Sequence, residues 1–202
     1  YCRKWYFMSF RSLLLTGNLV NTRFCYEKLP ETIDPFDYDA YHASGIKFYV
    51  TCTNLRTGKA EYICCDRLRE QMDYMRASAS MPLVSRTVWI NGQPYLDGGV
   101  ADSIPLEAFQ KLGYEKNIVV LTQVDGYQKT ATRLSEAKHA YRKFPKFQKA
   151  LHDRPQNYNR ELVYIAESAQ KGDTFVIRPS RDLHIGRMEK DRKRLLAMYK
   201  LG

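Results

Sequence analysis

No apolar run in these 202 residues approaches the roughly 20 residues that a membrane-spanning helix needs. Short runs such as Leu13-Leu14-Leu15 and Ile118-Val119-Val120-Leu121 fall far below that length. The five cysteines, Cys2, Cys25, Cys52, Cys64 and Cys65, include no C-x-x-C pair, so neither a disulfide framework nor a zinc site is suggested. Thiols of this kind are at home in a reducing cytosol, and a cytoplasmic location is the expectation. Low-complexity segments and internal repeats are also lacking. The opening residues, Tyr1-Cys2-Arg3-Lys4-Trp5, contain neither an initiator Met nor a secretory signal. The sequence is therefore expected to start inside a longer protein.

Charge is abundant and unevenly spread. Residues 1–130 carry 15 Lys and Arg against 14 Asp and Glu, whereas residues 131–202 carry 17 against 8. The basic last third includes Arg142, Lys143, Lys146 and Lys149 among Tyr141, Phe144 and Phe147. It could contact an anionic surface, acidic lipid or nucleic acid; the bland alternative is a solvated helical exterior.

Patterning along the chain alternates helices and strands. Trp5 to Leu15 reads as a packed helix ended by Gly17-Asn18, and residues 30–45 as a connection with a short helix near Phe36-Asp37-Tyr38. Ile46 to Thr53 and Ala60 to Cys65 read as strands around a turn at Asn54–Lys59. From Asp66, Leu68, Met72, Met75 and Ala79 recur at helical spacing up to Pro82. Trp89-Ile90 and Tyr95-Leu96 flank Asn91-Gly92, a strong hairpin signal. Pro105 to Leu112 predicts a helix stopped by Gly113, and Asn117 to Gln123 a strand buried on both faces, as in a parallel sheet. Arg133 to His152 predicts a basic helix broken at Pro145, Tyr158 to Gln170 another helix, Thr174 to Arg178 a strand, and Arg187 to Leu201 a charged helix. The fold class that follows is α/β.

The candidate for chemistry is Asp97. A carboxylate at a strand end, followed by Gly98 and Gly99, sits on backbone free to turn sharply and open to close approach. Strand ends are where α/β sheets collect reactive groups. An Asp-Gly-Gly turn alone is a common turn, however, and carries little by itself.

Its surroundings are more specific. Met75-Arg76-Ala77-Ser78-Ala79-Ser80-Met81-Pro82-Leu83, then Tyr95-Leu96-Asp97-Gly98-Gly99-Val100, then Asp102-Ser103-Ile104-Pro105 resemble the C-terminal half of the patatin-like phospholipase family. Residues 45–125 carry the resemblance, and Arg187-Met188-Glu189-Lys190-Asp191 looks like a subgroup of small bacterial patatin-like esterases. The family's asparagine-asparagine-proline position is occupied here by Asp102-Ser103-Ile104-Pro105.

The resemblance implies a three-layer α/β/α fold with a mostly parallel central sheet, its N-terminal part absent from this chain. Residues 1–130 would be the C-terminal part of the catalytic domain, and residues 131–202 a basic, mostly helical extension packed on the same domain. It further implies a serine-type acyl ester hydrolase using a Ser–Asp dyad. Asp97 would be the base, and Gly98 and Gly99 its supporting turn. The substrate would be a lipid or small ester, with peripheral contact to anionic membrane, no nucleic acid, no cofactor and no metal. The oligomeric state is not indicated. His42, His139, His152 and His184 would have ordinary roles, since such a dyad uses no histidine.

No Gly-x-Ser-x-Gly elbow and no glycine-rich oxyanion loop occurs in the sequence. Ser44 lacks the elbow glycines, while Ser78 and Ser80 fall at a helix end and predict capping bonds. The nucleophile is thus expected upstream, and the chain alone is expected to be inactive. An anionic-surface binding module and a catalytically inactive relative are the alternatives.

Overall fold

The computed structural model describes residues 7–130, 135–186 and 189–201, and these form a mixed α/β protein. The chain divides into two compact units, Tyr1–Ser103 with Thr132–Arg154, and Ile104–Ala131 with Pro155–Gly202.

The first unit is built around a four-stranded sheet. Strands β1 (Tyr49–Asn54), β2 (Ala60–Cys64), β3 (Val88–Ile90) and β4 (Gln93–Asp97) lie in the order β2-β1-β4-β3, and every pairing is antiparallel. The hairpin β3–β4 turns at Asn91 and Gly92 with φ of 49° and 74°, the left-handed pair its Asn-Gly sequence predicts.

Successive residues of a strand face opposite ways, so each face of this sheet collects its own core. Val50, Cys52, Val88 and Tyr95 bury with Leu68 and with Ala77 of helix α3 (Met72–Ser78). Leu96 and Val100 bury instead with Leu55, with Ala137 of helix α5 (Ser135–Ala140) and with Tyr141. Phe147, Ala150 and Leu151 of helix α6 (Pro145–Gln170) complete that cluster. The sheet is thereby covered by helices on both sides.

In the second unit β5 (Asn117–Val120) pairs in parallel with β6 (Thr174–Ile177). Val119, Leu121, Ile165 and Leu106 of helix α4 (Leu106–Lys111) form its core, with Leu162 and Val176 packed against them. Parallel pairing is confined to this pair among the described strands, so a mostly parallel sheet is not what these residues build. Nor is β5 buried on both faces: Ile118 and Val120 are exposed, as are Phe175 and Ile177 beside them on β6.

Several element boundaries differ from expectation. Helix α1 is Phe10–Thr16, and Phe7, Met8 and Ser9 of the expected Trp5–Leu15 helix lie outside it; Ser9 caps it by accepting from the Ser12 amide, and Gly17 ends it at φ 73°. It is not packed, for Leu14 is 87% exposed and Phe10 and Leu15 are exposed too. Residues Phe24–Ile33 form a π-helix with Pro30 inside it, so its end reaches into the connection expected from residue 30. The expected short helix is α2 (Tyr38–Ala43), with Asp37 as its cap. The expected break at Pro145 is there: α5 ends at Ala140 and Pro145 opens α6, consistent with proline's tolerance in a first turn. Pro155 lies within α6, so the two expected helices are one. The final helix, α7, is Arg192–Leu201. Cys2, Trp5, Arg133, Arg187 and Met188 lie outside the described residues.

Candidate active site

Asp97 is the last residue of β4, half-buried, and held at three points. Its amide donates to the Ser80 carbonyl at 2.9 Å. Its carbonyl accepts from Thr53 Oγ1 at 2.8 Å. Its Oδ1 accepts from the Gly99 amide at 2.8 Å, closing a tight turn in which the carboxylate caps the helical turn Gly98–Val100. Such a side-chain-to-backbone bond fixes both the turn and the carboxylate. Among the described residues, Oδ2 makes no hydrogen bond, so one carboxylate oxygen stays available as an acceptor.

The glycines have distinct reasons to be glycines. A Cβ on Gly98 would stand 2.1 Å from the Thr51 carbonyl oxygen and 2.4 Å from its carbon, so β4's exit runs hard against the backbone of β1. On Gly99 a Cβ would stand 3.1 Å from Asp97 Oδ1, 3.6 Å from Arg154 Nη2 and 3.8 Å from Ser103 Oγ. That turn is crowded by polar side chains and not by backbone. Its carbonyl accepts from Arg154 Nε at 2.6 Å and from Ser103 Oγ at 2.8 Å.

Thr53 is fully buried and ties the turn to β1. Its hydroxyl also lies 3.3 Å from the Gly98 carbonyl and accepts from the Ala101 amide at 3.2 Å. Asp102 accepts from the Tyr62 hydroxyl. Neither Thr53 nor Arg154 was singled out from sequence. For Arg154 a signal exists: it continues the face of α6 that places Phe147, Ala150 and Leu151 in the core.

The other candidates are placed elsewhere. Ser80 is buried and donates to the Arg76 carbonyl at 2.7 Å, a bond at a helix end as expected. Ser44 donates to the Tyr41 carbonyl. His152 contacts Asp153, His184 contacts Asp182, and none of the four histidines hydrogen-bonds Asp97. Cys52 is opposite Asp97 in the sheet register. Burial, reinforced by Cys65, Glu61 and Asp97, pushes its thiol up to about 12, so it stays protonated and is no substitute nucleophile. Among the described residues no three His, Cys, Asp or Glu side chains gather in a way that could hold a metal.

The basic, aromatic segment of residues 141–149 does not present its rings to solvent. Tyr141 and Phe147 are buried, with Phe144 packed against them, while Arg142, Lys143, Lys146 and Lys149 are exposed. Lys149 pairs with Asp153 at 2.6 Å. A stacking platform for bases is therefore lacking in this segment.

Residues 2–109 match the family model described as patatin-like phospholipase. The chain belongs to the patatin-like phospholipase family. The match takes in the four-stranded sheet, the hairpin and the Asp97 turn. A second model, a domain of unknown function (DUF6363), matches residues 144–202. No curated protein matches the chain. Membership in the patatin-like family makes hydrolysis the general activity and lipid the substrate class. No helix among the described residues is long and apolar enough to cross a membrane. In this patatin-like chain, Arg154 lies within the segment of unknown function, yet its hydrogen bond is to Gly99, inside the patatin match.

Proposed function

We propose that this patatin-like chain contributes the base of a Ser–Asp dyad in a lipid acyl ester hydrolase, with Asp97 as that base. The observation that carries the reading is the carboxylate itself: Oδ1 is held by the Gly99 amide and Oδ2 is left to accept a proton. In the reaction, a serine outside these 202 residues gives its hydroxyl proton to Asp97 as its oxygen attacks the acyl carbonyl. The tetrahedral intermediate collapses to an acyl-enzyme, and the departing alcohol takes the proton back from Asp97. Water then repeats the sequence: Asp97 accepts its proton, the hydroxide adds to the acyl carbon, and the serine leaves reprotonated. Gly98 and Gly99 serve as the turn that presents the carboxylate. Backbone donors for the oxyanion would come from the same region as the serine.

The reading includes a fold larger than the described strands. Val119 and Val176 face the helix side of the β5–β6 pair, while Ile118, Val120, Phe175 and Ile177 line its other, exposed face. Parallel strands are normally covered on both faces. This apolar face supports a three-layer α/β/α fold with further parallel strands and helices. Residues 1–130 belong to the catalytic domain and residues 131–202 form a basic, mostly helical extension of it. That Thr132–Arg154 falls in the same compact unit as the Asp97 turn supports this extension. A cytoplasmic enzyme meeting anionic membrane through its basic exterior completes the picture.

The test is covalent labelling of the full-length gene product with a fluorophosphonate. Labelling of a serine outside residues 1–202, slowed in Asp97→Asn, is the expected result. Labelling of Ser78 or Ser80, or of no serine, would sink the proposal, the last outcome favouring a catalytically inactive relative.

A further inference from the structure

The segment of unknown function holds Arg154, and Arg154 grips the turn that carries the proposed base. Helix α6 packs Phe147, Ala150 and Leu151 into the cluster that contains Leu96 and Val100, the residues on either side of Asp97-Gly98-Gly99. Residues at i, i+4 and i+7 share a helical face, so Arg154 follows Phe147 and Leu151 on the side that packs there. Its Nε donates to the Gly99 carbonyl at 2.6 Å, the short distance of a charge-assisted bond. Nη2 stands 3.6 Å from where a Gly99 Cβ would be, and Asp97 Oδ1 stands 3.1 Å from the same point. The neighbouring acid on the helix, Asp153, is taken by Lys149 and His152. Among the described residues Arg154 has no carboxylate partner, and its hydrogen bond goes to backbone.

This is an unusual commitment for a helical arginine. A solvated guanidinium on a helix surface adds little stability, whereas here it stiffens two successive glycines, the residues with the most backbone freedom to lose. The Gly99 amide holds Asp97 Oδ1 while the Gly99 carbonyl is held by Arg154 and Ser103. A loosened carbonyl would therefore loosen the amide that orients the carboxylate.

We propose that Arg154 is a positioning residue for Asp97, so that the segment 144–202 supplies part of the catalytic apparatus and is not an appendage to it. The inference rests on the dyad reading for its catalytic consequence, but its geometric content stands apart from it.

The experiment uses the full-length gene product with Arg154→Met, Arg154→Lys and, in parallel, Asp97→Asn. Two quantities are read: kcat and KM on a short-chain p-nitrophenyl ester, and hydrogen exchange of the Gly99 amide against that of Leu55 in the core. Arg154→Met should lower kcat by about 10²-fold, the scale of a small misplacement of a catalytic group, with KM unchanged. Gly99 exchange should accelerate while Leu55 exchange does not. Arg154→Lys should fall between, and millimolar guanidinium should restore part of the Arg154→Met activity. Unaltered kcat and unaltered Gly99 exchange, with Asp97→Asn inactive, would overturn the role of Arg154 and leave the dyad standing. Full turnover by Asp97→Asn would overturn the dyad, and the Gly99 exchange would then decide Arg154 alone. Should Arg154→Met accelerate exchange everywhere, Arg154→Lys decides by the same two readouts.

Discussion

Thr53 Oγ1 donates to the Asp97 carbonyl at 2.8 Å, across a sequence separation of 44 residues. The bond runs from the fully buried Thr53, on a central strand of the sheet, to the half-buried residue proposed as base. The orientation of Asp97 is thus a property of β1 as much as of its own turn.

Replacing Thr53 by Val keeps the shape and removes the hydroxyl. It deprives the Asp97 carbonyl of its side-chain donor and the Ala101 amide of one of its two acceptors, the Gly98 carbonyl being the other. Leaving buried polar groups unsatisfied costs about 1–3 kcal/mol. Urea unfolding of Thr53→Val should show a loss in this range; a midpoint equal to wild type would contradict the geometry.

Gly98 and Gly99 should respond differently to alanine. At Gly98 the new Cβ meets the Thr51 backbone at 2.1 Å and cannot be accommodated by a rotamer change. Overpacking of this kind costs about 1–3 kcal/mol, occasionally more. At Gly99 the nearest atom is 3.1 Å away and belongs to a side chain. Thermal melts should rank Gly98→Ala well below Gly99→Ala, and the reverse order would refute the packing described at this turn.

Cys52 makes stability depend on alkaline pH. Burial raises its thiol from 9.0 to about 12, so the folded state holds the proton more tightly than the unfolded chain. The associated stability is whole below pH 9 and is lost as pH rises toward 12. In that window one such group contributes a slope of about 1.4 kcal/mol per pH unit. Cys65, raised to about 11, adds in the same direction over a narrower range. Unfolding free energies measured from pH 8.5 to 11 should fall less steeply in Cys52→Ala than in wild type. Identical slopes would mean that Cys52 ionises as readily folded as unfolded.

Arg142, Lys143 and Lys146 are exposed. Reversing all three to Glu should weaken sedimentation with phosphatidylserine vesicles, and wild-type binding should decline with added salt. Unchanged binding by the triple variant would remove this segment from any membrane contact.

Local chemistry in the sequence located several of the elements that frame the candidate site. Asn91-Gly92 specified the hairpin, and the Arg76-to-Pro82 block found the helix end whose Ser80 carbonyl receives the Asp97 amide. Strand direction was not legible: the continuous apolar run at Ile118 to Leu121 signals burial of a strand but not what covers it or which way its neighbours run. Four-residue patterns also missed that α6 runs through Pro155, where packing of Leu151 and Ile165 in separate cores outweighs one lost backbone bond. Thr53 and Arg154 escaped notice because their roles depend on contacts with a turn 44 and 55 residues distant. Helical spacing puts Arg154 on the core-facing side of α6, but no local pattern names the turn that either residue meets.

The central claim is that Asp97 is the proton acceptor, and turnover by Asp97→Asn in the full-length gene product tests it most directly. The amide keeps the shape and can still accept from the Gly99 amide through its oxygen, but it cannot take the serine proton. With circular dichroism unchanged, kcat on a p-nitrophenyl ester should fall at least about 10²-fold, the scale of a lost general base. Turnover by Asp97→Asn equal to that of wild type would contradict the account.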